Sequence, residues 1–364
     1  MKYIKLEKIF KYLPKSKIKA GEGKDKGVFP FFTSSSILSK YYDEYLFDGE
    51  YLIFATGGSA SVNYYNGKFA TSTDNFIVQV SDQFYTKFLY YYLKLNIDMI
   101  QHEFHGAGLQ HLSKKGLDGI EVPLINKDIQ KKIIDKIDLL ENSIKSKEEE
   151  KDNHNKIMKS LYYEMINSNE LKEYKFSECV ENMTKGPFGS DIKKSLYVPK
   201  SVDTYKVYIQ VNAIQKNQSL GDYYISKEYF DSKMKRFELF PEDYIITCDG
   251  TLGKFLKLDN TMEKGIISAS LLKLKLKDNI ICDKVFELTW DNYMLPILKG
   301  QTRNAALVHL PSATVIGDLT IKIPDINIQN KYKKKIDLVY KMISINEKIV
   351  ENLKVLEKAV ILSI

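Results

Sequence analysis

The chain has 364 residues, 44% apolar and 28% charged, with a formal net charge of +7. It is too long for one ordinary domain and apolar enough for real cores, and it has no run of about 18 apolar residues that could span a membrane. The positive charge is nearly all lysine, with Arg236 and Arg303 the only arginines; that balance permits an anionic partner without identifying one.

Residues 1 to 122 read as a strand-rich domain. Lys2 to Leu13 is an edge strand or short helix, opening on MKYIKLEKIFKYL, which lacks the apolar core of a signal peptide. Gly21 to Ser36 is loop-like around a short apolar FPFF. Glu50 to Thr56 is a buried strand stopped by Gly57-Gly58-Ser59, and Phe76 to Val80 is another. Tyr85 to Ile100 is a helix packing through Phe88, Leu89, Tyr92, Leu93 and Ile97. A loop with three histidines follows, and a short strand, Gly119 to Pro123, leads to a long helix, Ile129 to Ser168.

After Ser168 the pattern restarts. Tyr174 to Val180 mirrors the first strand, and TKGPFGSDIKK (Thr184 to Lys194) is a loop. Tyr205 to Val211 is a strand. Asp243 to Cys248 matches the buried strand of the first half, with Tyr244 set on Tyr51 and Gly250 on Gly57. Ile266 to Leu276 matches the strand near Phe76, and Val285 to Leu298 the helix near Phe88. LVHLPS echoes LQHLSK, placing His309 on His111, and IPDINIQ echoes VPLINKDIQ before a second long helix, Ile328 to Ile364.

Both helices carry one apolar seam at heptad steps, the pattern of a helix lying along another. In the first it is Ile133, Ile137, Leu140, Ile144, Met158, Leu161 and Met165, interrupted by Lys147, Lys151 and His154. An offset of 199 residues carries it onto Tyr332, Ile336, Val339, Ile343, Asn346, Val350, Leu353, Val360 and Ile364, broken only at Glu357. A bare seam leaves about 1.5–3 kcal/mol per large side chain ungained, so the helices are expected to pair antiparallel. Ile134, Leu139, Tyr162, Tyr163, Met342, Ile345, Ile349, Leu356 and Ile361 lie off the seam and form a face for a partner or for the chain's own domains.

The repeated order is distinctive: a KLEKIF-type opening, a strand ending in glycine (IFATGGS, IITCDGTLG), a helix, an HL motif, a Pro-led start to a long helix, with TKGPFGSDIK as a further phrase. It resembles the specificity (S, HsdS) subunits of type I restriction-modification systems over the whole chain. The resemblance implies an α+β fold with two similar strand-rich target-recognition domains (1–122 and 169–322), separated by two long antiparallel helices (123–168 and 323–364) forming a coiled coil. It also implies a non-catalytic cytoplasmic subunit that reads a bipartite site in double-stranded DNA, each domain taking one half. Two methyltransferase (M) subunits dock on the helices and restriction (R) subunits join them. No cofactor belongs to the chain; SAM, ATP and Mg are expected on the partners. The alternatives are a recognition subunit of a fused methyltransferase–nuclease and a coiled-coil scaffold with no DNA role.

The catalytic alternatives lack their residues. No glycine-rich SAM loop or (N/D)PP(Y/F) motif is present. DGTLGK lacks the first Gly and the Ser/Thr of a phosphate loop. His102, His105 and His111 lie close together, but no cysteine is near and HEFH is not HExxH. Cys179, Cys248 and Cys282 form no CxxC pair and leave an odd count, which fits a reducing compartment. For DNA, base edges are read by polar side chains on loops, while lysines mostly hold phosphates. The expected contacts are Ser34, Ser35, Thr56, Ser59, His105, Gln110, Lys114 and Lys115 in the first half. In the second they are Lys193, Lys194, Asn212, Arg236, Thr251, Lys254, Arg303 and Asn304. Arg303 stands out because arginine is scarce and suits guanine O6 and N7.

Overall fold

The computed structural model describes residues 2–106, 108, 110–215, 221–301 and 309–362. The chain forms two compact units, Met1–Glu150 with Asn346–Ile364, and Lys151–Ile345. Each therefore holds one globular domain together with parts of both long helices.

In the first unit the strands are β1 (Tyr3–Lys5), β2 (Phe10–Tyr12), β3 (Phe29–Phe32), β4 (Lys40–Tyr42), β5 (Phe47–Ala55), β6 (Val62–Thr71) and β7 (Asn75–Val80). Helices α1 (Thr86–Leu95) and α2 (Ile97–Gln101), a hairpin of β8 (Phe104–His105) and β9 (His111–Leu112), α3 (Lys114–Gly119) and β10 (Glu121–Pro123) follow, and α4 runs from Lys127 to Asn167. Six strands make one sheet in the order β2-β7-β5-β6-β3-β4, while β1 pairs antiparallel with β10. The continuous apolar run of β5 is explained by burial on both faces. Leu52 and Phe54 pack under Phe88, Leu89 and Leu93 of α1; Ile53, between them, points to a second cluster with Phe32, Phe69 and Ile77.

Several expectations change here. Lys2 to Leu13 is two short strands of different sheets, joined by a 3-10 turn at Leu6–Lys8. FPFF is strand β3, which pairs with β4 and, in parallel, with β6. Strand β6 escaped the sequence reading altogether: VNYYNGKFAT is polar and interrupted by glycine, and its order comes from pairing with β5 along nearly its whole length. The helix expected over Tyr85 to Ile100 is broken at Asn96 into α1 and α2.

The second unit contains β11 (Leu171–Lys175), β12 (Val180–Lys185), β13 (Thr204–Tyr208), α5 (Gln210–Ala213), β14 (Tyr223–Ser226), α6 (Lys227–Tyr229), β15 (Glu238–Leu239), β16 (Tyr244–Thr247), β17 (Phe255–Lys257), β18 (Gly265–Ile267) and β19 (Leu271–Leu276). Helix α7 (Asp283–Thr289), α8 (Leu295–Gln301), α9 (Ala313–Gly317), β20 (Thr320–Pro324) and α10 (Ile326–Leu362) complete it. Strands β11 and β20 pair antiparallel, as β1 and β10 do. The other strands form two sheets, β12-β19-β16-β17 and β14-β13-β18-β15. These preserve the neighbour relations of the single sheet in the first unit, with β15 and β16 standing for β5, and β17 and β18 for β6. The division has a local cause. In the first unit Gly49 and Gly67 face each other across β5 and β6, both at φ 138, a conformation open to glycine, and the ladder runs on through them. The second unit leaves the sheet at the equivalent place, through Glu242 at φ 74. The stretch Ile266 to Leu276 is accordingly two strands, and Val285 to Leu298 is α7, a π-helical turn over Trp290–Met294, and α8.

The register corrects the residue pairings Tyr51 with Tyr244 and Gly57 with Gly250 between the halves by one position, and the matching bridges Gly57–His111 and Asp249–His309 set Gly250 on Gly58, not Gly57. Leu52 lies opposite Val78 and Tyr244 opposite Leu274, each three residues before the pair that closes the ladder, Ala55–Asn75 or Thr247–Leu271. The counterpart of Tyr244 is therefore Leu52, not Tyr51. A one-residue slip exchanges the faces of a strand, and Leu52 and Tyr244 are both fully buried whereas Tyr51 is half-buried.

A buried glutamine ties each domain to its long helix. Gln130 of α4 accepts from the Tyr85 N–H at 2.8 Å and donates to Gln83 O at 3.1 Å and Ile125 O at 2.9 Å. Gln329 of α10 accepts from the Cys282 N–H at 3.0 Å and donates to Ile280 O at 2.8 Å and Pro324 O at 2.9 Å. Both side chains are fully buried. They satisfy the backbone at the start of α1 and α7, groups that have no partner within their own helix.

Within the first unit the beginning of α4 packs beside the end of α10. Ile133, Ile134 and Ile137 share a core with Val360 and Ile361, and Asn346 Nδ2 donates to Glu150 Oε2 at 3.0 Å. Within the second unit the end of α4 packs beside the beginning of α10. Met158, Tyr162 and Met165 share a core with Tyr332, Ile336 and Val339, and Tyr332 Oη donates to Glu164 Oε1 at 3.0 Å. In both the helices run antiparallel. Ile144 is also buried, and Leu140, Leu161, Ile343, Val350, Leu353 and Val360 are half-buried. Of the off-seam residues, Ile134, Tyr162 and Ile361 go to the chain's own domains and not to a partner, being taken up by the core of their own unit. Leu139, Tyr163, Met342, Ile345 and Leu356 are exposed, and Ile349 is half-buried. No described helix is long and apolar enough to cross a membrane.

Candidate nucleic-acid interface

In the first unit the loop after β5 and the β8–β9 hairpin come together. Gly57 bridges to His111, the Leu112 N–H donates to Thr56 O at 3.0 Å, and His111 Nδ1 lies 3.2 Å from the same oxygen. His105 stands across the hairpin from His111. Ser59, His105, Gln110, Lys114 and Lys115 are all exposed around this junction. Lys114 lies over the Tyr12 ring at 4.4 Å and, with Lys5, Lys115 and Asp118, lines an open groove. Tyr12 donates to Asp118 at 2.7 Å; burial, then that acceptor, push its hydroxyl pKa up. The loop after β3 leaves from an adjoining point, because Asn75 Nδ2 donates to Phe32 O at 3.1 Å and the Thr56 N–H donates to Asp74 O at 2.9 Å. It carries Ser34, half-buried, and Ser35, exposed with its Oγ accepting from the Ile37 N–H.

Thr56 is a correction. It is only 8% exposed, in the wall beneath the loop, so its contribution is a backbone carbonyl that holds the hairpin and not a side chain that reaches a ligand.

The second unit repeats the junction. Asp249 bridges to His309, the Leu310 N–H donates to Cys248 O at 2.8 Å, and His309 Nδ1 lies 2.6 Å from Asp249 Oδ1. The loop from Asp249 to Lys254 presents Thr251 and Lys254 outward. It is fixed beneath: Thr247 Oγ1 bonds Thr251 O, and the Trp290 Nε1–H donates to Gly253 O at 2.9 Å. The GPFG loop joins the same place, since Gly186 N–H donates to Leu271 O at 2.8 Å while Lys185 Nζ donates to Leu310 O at 3.2 Å. A Cβ at Gly186 would lie 1.9 Å from Ser268 O, so this position requires glycine. Phe188 projects 77% exposed from the loop, and Lys193 and Lys194 follow, exposed. Arg236 is exposed and lies over Phe237 at 4.5 Å.

Asn212 is a second correction. It is 8% exposed, and its Nδ2 bonds Gly221 O and approaches Asp222 Oδ1 at 3.4 Å, so it braces the loop before β14. Arg303 and Asn304 lie outside the described residues. His111, His309, Lys185 and Phe188 were not among the expected contacts; the HL echo between the halves was the available signal for the two histidines.

Among the described residues no group of three or more His, Cys, Asp or Glu could hold a metal. Burial pushes the Cys248 thiol up to about 12 and the Cys179 thiol up to about 11, far from nucleophilic.

Comparison with known proteins agrees with this description. The family model for the type I restriction modification DNA specificity domain matches residues 1–156. The specificity subunit of the EcoDI type I restriction enzyme of Escherichia coli is 29% identical over 139 residues, 38% of this chain and 31% of that protein. A putative type I specificity subunit of Mycoplasma pneumoniae is 38% identical over 24% of this chain and 36% of its own length. A putative specificity subunit of Haemophilus influenzae is 24% identical over 64% of this chain and 61% of its own length. The alignments with the first two relatives thus span about a third of those proteins. The crystal structure of a type I S subunit from M. genitalium covers 99% of this chain and 94% of its own, with a TM-score of 0.59 at 15% identity. A chain from a structural study of type I complex assembly and conformational transition covers 99% and 96%, with a TM-score of 0.55 at 13% identity.

Proposed function

We propose that the chain is a type I specificity subunit and that it directs a DNA-modifying complex to a bipartite sequence. Each recognition domain reads one half-site, and the long helices dock two methyltransferase subunits. The chain itself contributes recognition and no catalysis, as specificity subunits do.

The observation that carries this reading is the duplication. Two domains of different sequence keep the same strand neighbours, the same β5- or β16-end junction with an HL motif, and the same buried glutamine on a long helix. A protein that reads two unrelated half-sites needs such a repeat: a constant frame with variable loops. Exposed lysines at both junctions suit phosphate neutralisation, which makes binding salt-dependent. The exposed apolar residues Leu139, Tyr163, Met342, Ile345 and Leu356 on the helices suit a protein partner.

The test is a gel shift of the chain, alone and with its methyltransferase subunit, over a salt series. A salt-dependent complex that requires both halves supports the reading. A chain that never retards DNA, with or without its partner, rejects it in favour of a scaffold.

A further inference from the structure

The two histidines of the HL motifs do not belong to the expected DNA contacts, yet each turns Nδ1 toward an acceptor of the loop that its own backbone bridges. His111 Nδ1 lies 3.2 Å from Thr56 O, and His309 Nδ1 lies 2.6 Å from Asp249 Oδ1. A carbonyl and a carboxylate only accept, so in both rings Nδ1 must carry the proton. Both side chains are exposed, which leaves Nε2 as the group each ring can offer outward. The neutral ring offers a lone pair there; the charged ring offers a donor.

The repetition tells which is used. A residue that reads a base should differ between two domains that read different half-sites. Here the loops do differ, GGSA in one and DGTLG in the other, while the histidine and its backbone bridge stay the same. A contact common to both suits what is common to both half-sites, the phosphate backbone. The surroundings agree: Lys114 and Lys115 follow His111, and Lys185 is bonded to the carbonyl next to His309.

We propose that His111 and His309 are matched phosphate contacts that set the register of each domain on its half-site. This rests on the DNA-recognition reading above. Nδ1–H remains on its protein acceptor, Nε2 takes one proton from solvent as the complex forms, and the resulting imidazolium donates Nε2–H to a phosphate oxygen.

The test uses the full chain with its methyltransferase subunit, a duplex containing the recognised site and an unrelated duplex. His309→Asn keeps a short donor toward Asp249 and removes the outer nitrogen. It should weaken binding about tenfold on both duplexes and lower the slope of log affinity against log salt by about 0.9. His111→Asn should do the same, and His309→Lys should restore the slope. A neutral methylphosphonate at the contacted phosphate should weaken the wild type and leave the Asn variant unchanged, a result that does not depend on comparing the stability of variants. An unchanged salt slope overturns the assignment, as does a loss confined to the site-containing duplex, which would mark a base contact. Wild-type protein that binds neither duplex would instead overturn the recognition reading.

Discussion

Gln329→Met tests how a recognition domain is fastened to its helix. Gln329 is fully buried and makes three hydrogen bonds of 2.8–3.0 Å to the backbone at Cys282, Ile280 and Pro324. Methionine fills a similar volume, so the loss is one of polar pairing and not of packing. Two of the stranded groups are wholly buried and the third partly so. At about 1–3 kcal/mol for each buried group left unpaired, with the third discounted for access to water, the cost is about 4 kcal/mol. That is a large part of a stability that ordinarily lies at about 5–15 kcal/mol. Trp290 is the only tryptophan of the chain and is fully buried in the second unit, so its fluorescence in a denaturant titration reports this unit alone. The midpoint should fall by the equivalent of about 4 kcal/mol at unchanged slope. Gln329→Glu keeps an acceptor for the Cys282 N–H but loses both donors, and should fare no better. A Met variant within about 1 kcal/mol of the wild type would refute the latch.

Three further outcomes follow from the packing. Burial alone would raise the Asp283 carboxyl, but hydrogen bonds from Lys333 and Lys257 hold it down at about 2. A carboxyl depressed below its unfolded value stabilises the fold above about pH 4, and that stabilisation is lost as pH falls toward 2. Lys333→Met should therefore cost about 1–2 kcal/mol near neutral pH and flatten the loss across this window, followed by Trp290 fluorescence. Gly186→Ala drives a Cβ onto Ser268 O, and should cost about 1–3 kcal/mol or displace the GPFG loop, visible as faster amide exchange over residues 186–192. Glu357 is 8% exposed, has a carboxylate oxygen without a hydrogen-bond partner, and is raised in pKa by burial. Glu357→Leu should stabilise the first unit by about 1–2 kcal/mol above the folded pKa of Glu357, and by progressively less as pH falls through it; equal thermal shifts at pH 4 and pH 8 would contradict this.

The large-scale plan was legible because it rests on periodicity. The heptad steps through Ile133, Ile137, Tyr332 and Ile336 state two helices that must be covered, and the HL and Gln echoes state a repeat. What escaped was set by partners distant in sequence. Strand β6 is polar and carries Gly67, and only its ladder with β5 makes it a strand. The pairing of Tyr51 with Tyr244 followed residue identity, whereas burial and register select Leu52. Thr56 and Asn212 were chosen as polar residues at loop positions, but their burial was decided by Asp74 and Gly221, contacts that no local pattern announces. His111 and His309 were visible as an echo, but their meaning required the acceptors at Thr56 and Asp249.

Sequencing the methylated adenines of cells that express this chain with its methyltransferase subunit tests most directly whether its two domains read one divided DNA site. The predicted result is two unrelated half-motifs separated by a fixed gap, with exchange of residues in the first domain altering only one of them. A single continuous motif, or an unmodified genome, would contradict it.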